Sequence, residues 1–410
     1  MPILLEEDLK VELPKMINIR QKFADTYIAD VHEAVQAELM QHKLSGIIKP
    51  GMSVAITAGS RGINQIDVII KTVVDFVKNQ GAQPFIVPAM GSHGGATAQG
   101  QLEVLQNYNI TPASMGVEIR SSMEVDVLGE TPSGIPVYID RNAHKADLII
   151  PINRGKPHTG FRGPIESGVC KMMAIGLGKH VGCSRIHQME RSVFSKTITE
   201  VAEVFLSKAN FGFGIGIVEN TYDKPMIIKA MCKEELIIEE QKLLVIAKQM
   251  MPNLLLPKVD ILVVEQIGKN ISGAGMDPNI IGRHTALKEV EGYTGPNIER
   301  IVVLGLSEET HGNATGLGNV DFITRQVYDS IDFVATYANV IAARNPGGAK
   351  IPIVMDNEHE AMLAAVKCCR GIGADGPYIV RIKDTLHLGE IAVSANMLPI
   401  VQASDSLELL

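Results

Sequence analysis

The sequence predicts an α/β protein of two domains, with an open, mostly parallel sheet in the N-terminal one and an active-site cleft between the two. Three observations carry that expectation. Short apolar runs alternate with longer amphipathic stretches through the first half, the pattern of strands joined by helical crossovers. Three of those runs empty into glycine-bearing polar loops, and the carboxyl ends of parallel strands are where such sheets bind ligands. The alternation then starts afresh at Asp260, after a linker bracketed by Pro252 and Pro257, and 410 residues exceed what one hydrophobic core ordinarily holds.

Taken in order, Val54 to Ala58 reads as a strand ending in the turn Gly59-Ser60-Arg61-Gly62, followed by a helix from Asn64 to Asn79. Gln83 to Pro88 is the next strand and ends in GSHGG, Gly91 to Gly95, ahead of another helix. Met123 to Asp140 contains TPSGIP, a turn between β-prone flanks, and reads as a hairpin. Leu148 to Ile152 is a buried strand that opens into the longest Gly, His, Lys and Arg segment of the chain, Asn153 to His187. Phe211 to Val218 reads as a strand and Glu234 to Met250 as a helix. The second domain follows with strands at Asp260 to Glu265, Arg300 to Leu304 and Tyr378 to Ile382, and a helix near Val334 to Arg344. The expected domains are residues 1–255 and 256–384, with the tail 385–410 packing back on the first.

Composition narrows the function. A formal charge of -8 with no block of Lys or Arg argues against a nucleic-acid or anionic-membrane surface. No window reaches the apolar length of a membrane span, and the N-terminus lacks a signal pattern. Five Cys without CxxC spacing read as reduced thiols. These readings point to a cytoplasmic protein with a small-molecule partner, and they are compatible with a homo-oligomer.

Of eleven His, His32, His42, His144, His359 and His387 read as solvated or core-satisfied. His93 differs, because it follows a strand end among small residues that let a ligand approach its ring. His158 stands in NRGKPHTGFRGP, where Arg154, Lys156 and Arg162 collect positive charge. Anion binding is one use of such a loop, and a solvated basic loop is the other. Lys171 lies in ESGVCKMMAIGLG among apolar and small residues, either as a buried amine of lowered pKa or as a lysine snorkelling at a helix edge. Lys179 and His180, beside a glycine, read as charge at that helix's C-terminal end. His187 follows a stretch too irregular for a continuous helix. No HExxH or CxxC spacing is present, so a lone His ligates metal only where a cofactor brings the other donors.

The order of these residues resembles the nickel-pincer-dependent lactate racemase family and its relatives. The resemblance rests on Gly91-Ser92-His93, on His158-Thr159-Gly160-Phe161, on Lys171 with His187 sixteen residues beyond it, and on Gln266 three residues before Lys269. It implies an isomerase, a 2-hydroxyacid racemase or epimerase, with His93 and His158 as the acid and base. It further implies a pyridinium mononucleotide joined to Lys171, nickel ligated by His187, and cofactor contacts at Ser60, Arg61 and Gly94. Arg61, Gln266 and Lys269 are implied for the substrate. Two positions depart from the lactate-specific members. Ala58 stands where they carry Asp, and the interval from His158 to Lys171 is longer, at thirteen residues. The polar loop Glu308 to Asp321 suggests a more hydroxylated acid than lactate, or else a helix-capping loop.

Two other classes remain open from sequence. A nicotinamide-dependent 2-hydroxyacid dehydrogenase would need a GxGxxG turn, for which GSRGIN is a poor substitute. A non-catalytic small-anion-binding protein on the same fold is the second.

Overall fold

The computed structural model describes residues 3–60, 62–287 and 290–410. The chain forms two compact units, one of residues 24–251 and one of residues 1–23 with 252–410.

In the unit 24–251 the strands Gln83–Pro88, Ser53–Ala58 and Leu148–Ile150 pair in parallel. Pro151 has no N–H to give a ladder, and the chain continues past it as Ile152–Arg154, parallel to Phe213–Glu219. The Ile152 N–H goes instead to the Thr57 hydroxyl at 3.0 Å. Pro225–Cys232 closes the edge in antiparallel fashion.

The strands are apolar at nearly every position because both faces are covered. Val54 and Ile56 pack with Val31, Val35 and Leu39 of helix Val31–Leu39 and with Ile69, Ile70, Val73 and Val77 of helix Ile66–Asn79. The three- and four-residue spacing of those side chains puts them on one helical face. Ala55, Phe85 and Val87 face a second core that includes Ile198, Val201 and Phe205 of helix Phe194–Lys208. The hairpin Val125–Glu130 with Pro136–Asp140 belongs to this unit.

The other unit holds an eight-stranded sheet. Ile353–Met355, Phe322–Thr324, Ile298–Val303, Val259–Val264 and Ile379–Ile382 run parallel in that spatial order. Glu390–Ser394 then pairs antiparallel with Ile379–Ile382, and Met16–Gln21 is inserted between Glu390–Ser394 and Leu407–Leu409.

The tail 385–410 therefore contributes strands to this sheet, and the first 23 residues go with it. Strand pairing explains this. Met16–Gln21 has a ladder partner on each side only because both tail strands flank it. The fully buried Gln21 side chain locks the arrangement, donating to Leu388 O at 2.8 Å and Asn253 O at 3.1 Å while accepting from Leu255 N at 2.6 Å. Among the described residues no helix is long and apolar enough to cross a membrane.

Candidate active site

The loop carrying His158 is built around one buried carboxylate. Glu166, with no exposed surface, accepts from His158 N at 2.8 Å and Gly163 N at 3.2 Å. Lys248 at 2.6 Å and Arg162 at 3.7 Å supply the countercharge. Arg162 also donates to the carbonyls of His158 and Phe161, and Arg154 pairs with Glu219. The anion-binding cluster expected of Arg154, Lys156 and Arg162 is thus largely committed to holding the loop, since two of the three cations already face carboxylates.

Within that loop the Gly160 N–H donates to His158 Nδ1 at 2.9 Å. A backbone N–H only donates, so Nδ1 is the acceptor and the neutral ring carries its proton on Nε2. The imidazole lies 4.1 Å from the Phe161 ring, Phe161 lies 5.2 Å from Phe194, and His187 lies 5.4 Å from Phe194. Lys171 Nζ stands 5.7 Å from the Phe161 ring centre. Two phenylalanines thereby gather His158, Lys171 and His187.

His187 closes the α-helix Lys179–Ile186, a stretch that looked too irregular in sequence to be helical. Its ring is open to solvent, yet the protein massed around it, then the charges of Lys171 and Arg191, hold its pKa below the ordinary 6.5. The neutral imidazole is the metal-ligating form. Arg191, which donates to Gly160 O at 3.3 Å, is the site cation that sequence inspection missed, because it belongs to no motif.

Lys171 sits on a short α-turn, Gly168–Lys171, that runs into a π-helical turn, Met172–Gly176. Such widened turns recur at functional sites. The turn is anchored by Glu240, whose carboxylate accepts from Val169 N and, at 2.8 Å, from Cys170 N. Gly168, at φ +85°, allows this, since a Cβ there would lie 1.7 Å from Glu240 Oε1.

Burial pushes the Glu240 carboxyl up to about 7, against hydrogen bonds from Cys170 and Val169 that favour its charged form. A carboxyl raised in the fold holds its proton more tightly than in the unfolded chain. Its contribution is therefore complete below about 4.5 and is lost as pH rises through about 7, by roughly 3 kcal/mol. Urea unfolding between pH 5 and 8 is expected to show this fall in the wild type and not in Glu240→Gln. Parallel profiles would mean that Glu240 does not titrate in this way.

His93 is at the end of the Gln83–Pro88 strand's loop, exposed, with Ser60 Oγ on its Nδ1. Gln101 holds the loop from behind, donating to Gly91 O at 3.0 Å and His93 O at 3.3 Å. Lys179 holds Gln101 in turn, and it is not a helix-end charge but one of the largest fully buried side chains among the described residues. Its Nζ meets Pro88 O at 2.5 Å, Gln101 Oε1 at 3.1 Å and Asp140 at 3.2 Å. Lys171, expected among hydrophobes, is the less buried of the two lysines. The loop also reaches the Lys171 segment, with Gly91 N bonded to Gly176 O at 3.2 Å. Gly94 lies against Gly100, at a distance that leaves no room for a Cβ. Arg61 lies outside the described residues.

Gln266 and Lys269 belong to the other unit, just beyond strand Val259–Val264. Gln266 Nε2 donates to Asp384 at 3.2 Å, and Lys269 Nζ donates to Gly273 O at 2.6 Å. The 308–321 loop consumes much of its own polarity. The Thr315 hydroxyl bonds both Asn313 and Asn339, while Asp321 pairs with Arg283 at 2.7 Å and accepts from Ile301 N. These contacts hold the loop to itself and to its neighbours.

Residues 5–197 match the family model described as the lactate racemase N-terminal domain. Among solved structures, the chain is similar to the lactate racemase apoprotein of Thermoanaerobacterium thermosaccharolyticum, at 14% identity and TM-score 0.52, over 90% of this chain and 99% of that one. A protein of Thermotoga maritima is similar at 13% identity and TM-score 0.52, over 87% and 97% of the two chains. No curated protein matches in sequence. The match to the family model thus covers residues 5–197, and the likeness in fold to the lactate racemase apoprotein extends over nine-tenths of the chain.

Proposed function

We propose that the protein inverts C2 of a 2-hydroxyacid, with a nickel-pincer nucleotide held by Lys171 and His187. The observation that carries this is the gathering of His158, Lys171 and His187 around Phe161 and Phe194. The donor set suits such a group. Lys171 offers a half-buried amine for covalent attachment, and His187 offers a neutral imidazole. Among the described residues no three His, Cys, Asp or Glu are arranged to hold a metal, so a metal at His187 takes its other donors from a non-protein ligand. Ser60 and Gly94 are assigned to the same cofactor, as is Arg61. Arg61, Gln266 and Lys269 are assigned to the substrate.

When bound, the group supplies an acceptor for the hydrogen that leaves C2 with its electron pair. The chain's own residues manage the proton. Neutral His158 presents Nε2–H and so begins as the donor toward the substrate oxygen. Removing the hydroxyl proton then falls to His93, which Ser60 and Gln101 orient. For either enantiomer the proton taken by His93 is returned to the oxygen as the hydrogen comes back to C2, while His158 holds that oxygen through Nε2–H.

Nickel-loaded protein is expected to catalyse stereochemical exchange of at least one 2-hydroxyacid in a screen of both enantiomers. His93→Ala and His158→Ala should each lower kcat by about 10²-fold or more. Absence of exchange with every acid by fully loaded protein, or undiminished kcat in both variants, would overturn the reading.

A further inference from the structure

In the unit of residues 1–23 and 252–410, two parallel strands that are neighbours in the sheet, Val259–Val264 and Ile379–Ile382, deliver their following loops to the same carboxyl edge. Asp384, in the second loop, has no exposed surface. Its Oδ1 accepts from the backbone N–H of Leu386 at 2.9 Å and of His387 at 3.1 Å. The His387 ring closes back on the same carboxylate, with Nδ1 2.7 Å from Oδ1 and 2.9 Å from Oδ2. Gln266, from the first loop, reaches Oδ2 at 3.2 Å. One buried acid therefore orients two side chains from different strands.

The polarity of the arrangement follows from the acid. Burial works against the Asp384 charge, but hydrogen bonds from His387 and Gln266 outweigh it and hold the carboxyl below its ordinary pKa. An ionised carboxylate only accepts. It must then take Nδ1–H from His387 and one N–H from Gln266, which settles both the imidazole tautomer and the amide orientation. What remains is Nε2 of His387, which accepts on the neutral ring and donates on the protonated one, together with Oε1 and one N–H of Gln266. The His387 side chain is 59% exposed, so Nε2 is within reach of a ligand. Groups that accept and donate side by side match a partner that does both better than a carboxylate, which brings only acceptors. They suit hydroxyls, each of which donates and accepts.

We infer that His387 and Gln266, oriented by Asp384, form a subsite for a hydroxyl group of a hydroxylated carboxylic acid beyond the one at C2. Gln266 on this account reads a hydroxyl and not the substrate carboxylate, which leaves Lys269 as this unit's cation for that carboxylate. The inference rests on the proposed function only in calling the ligand a substrate, since binding at the subsite requires no turnover.

The test uses the full chain without cofactor, labelled with ¹⁵N-histidine, and two probes that differ by one hydroxyl, glycerate and lactate. His387 resonances, identified by their loss in His387→Ala, are expected to shift on titration with glycerate. Glycerate should bind roughly three- to tenfold more tightly than lactate, the range of one net hydrogen bond, and His387→Ala should abolish that preference. In His387→Ala the Asp384 carboxylate keeps its two backbone N–H donors and Gln266, and the unfolding midpoint of the variant serves as the control. His387 signals that ignore glycerate, equal affinity for the two acids, or a preference that survives in His387→Ala would each overturn the inference. Failure of the nickel-loaded wild type to racemise any acid would instead count against the proposed function and leave this result standing.

Discussion

Lys171→Ala is expected to abolish covalent capture of the cofactor and all turnover with it. After co-expression with the cofactor-making enzymes, intact mass should show a nucleotide-sized addition on the wild type and none on the variant. His187→Ala provides the complementary result, with the addition retained and nickel content lost. The two outcomes separate attachment from ligation. Both side chains are partly open to solvent, so unfolding midpoints should stay close to the wild type. An unmodified wild type, or a Lys171→Ala protein that still gains the mass, would remove Lys171 from the role.

The largest expected effect on stability lies at Lys179. Burial drives its amine toward neutrality and drives the Asp140 carboxyl up in the same direction, with their mutual attraction opposing both. Removing one member leaves the other buried without its countercharge, which costs about 3–5 kcal/mol. Lys179→Met should lose stability on that scale in urea unfolding. The double variant Lys179→Met with Asp140→Leu should recover much of it, because no charge then remains to be solvated. A single variant as stable as the wild type would show that the pair holds nothing together. The same substitution frees Gln101, so the His93 loop should also exchange its amide hydrogens faster.

Most strands were legible because burial on both faces leaves an almost unbroken apolar run, as in Val54 to Thr57 or Ile261 to Val264. The glycine-bearing loops after Ala58 and Pro88 were legible for a related reason, since few other residues tolerate such close backbone approach. The candidate site was legible only in part. His158, Lys171 and His187 were singled out by their order along the chain, and the structure gathers them around two phenylalanines. Glu166, Glu240, Gln101 and Arg191 were not, because an acid or amide that supports a loop follows no local spacing rule. Glu240 lies 69 residues from Lys171 and acts on backbone N–H groups, which sequence does not display.

Local order along the chain by itself determined the α/β class, the strand runs, the loops that carry chemistry and the identity of the candidate side chains. Only the tertiary structure decided which lysine is buried, which cations are already paired, and where the ends of the chain go. Lys171 and Lys179 have similar neighbours in sequence, yet Asp140, Gln101 and the Pro88 carbonyl converge on Lys179 alone. His387 is solvated, one of the two readings its sequence context allows, and only the fold brings Asp384 and Gln266 beside it. Burial and charge compensation depend on partners distant in the chain, and no window of sequence contains them.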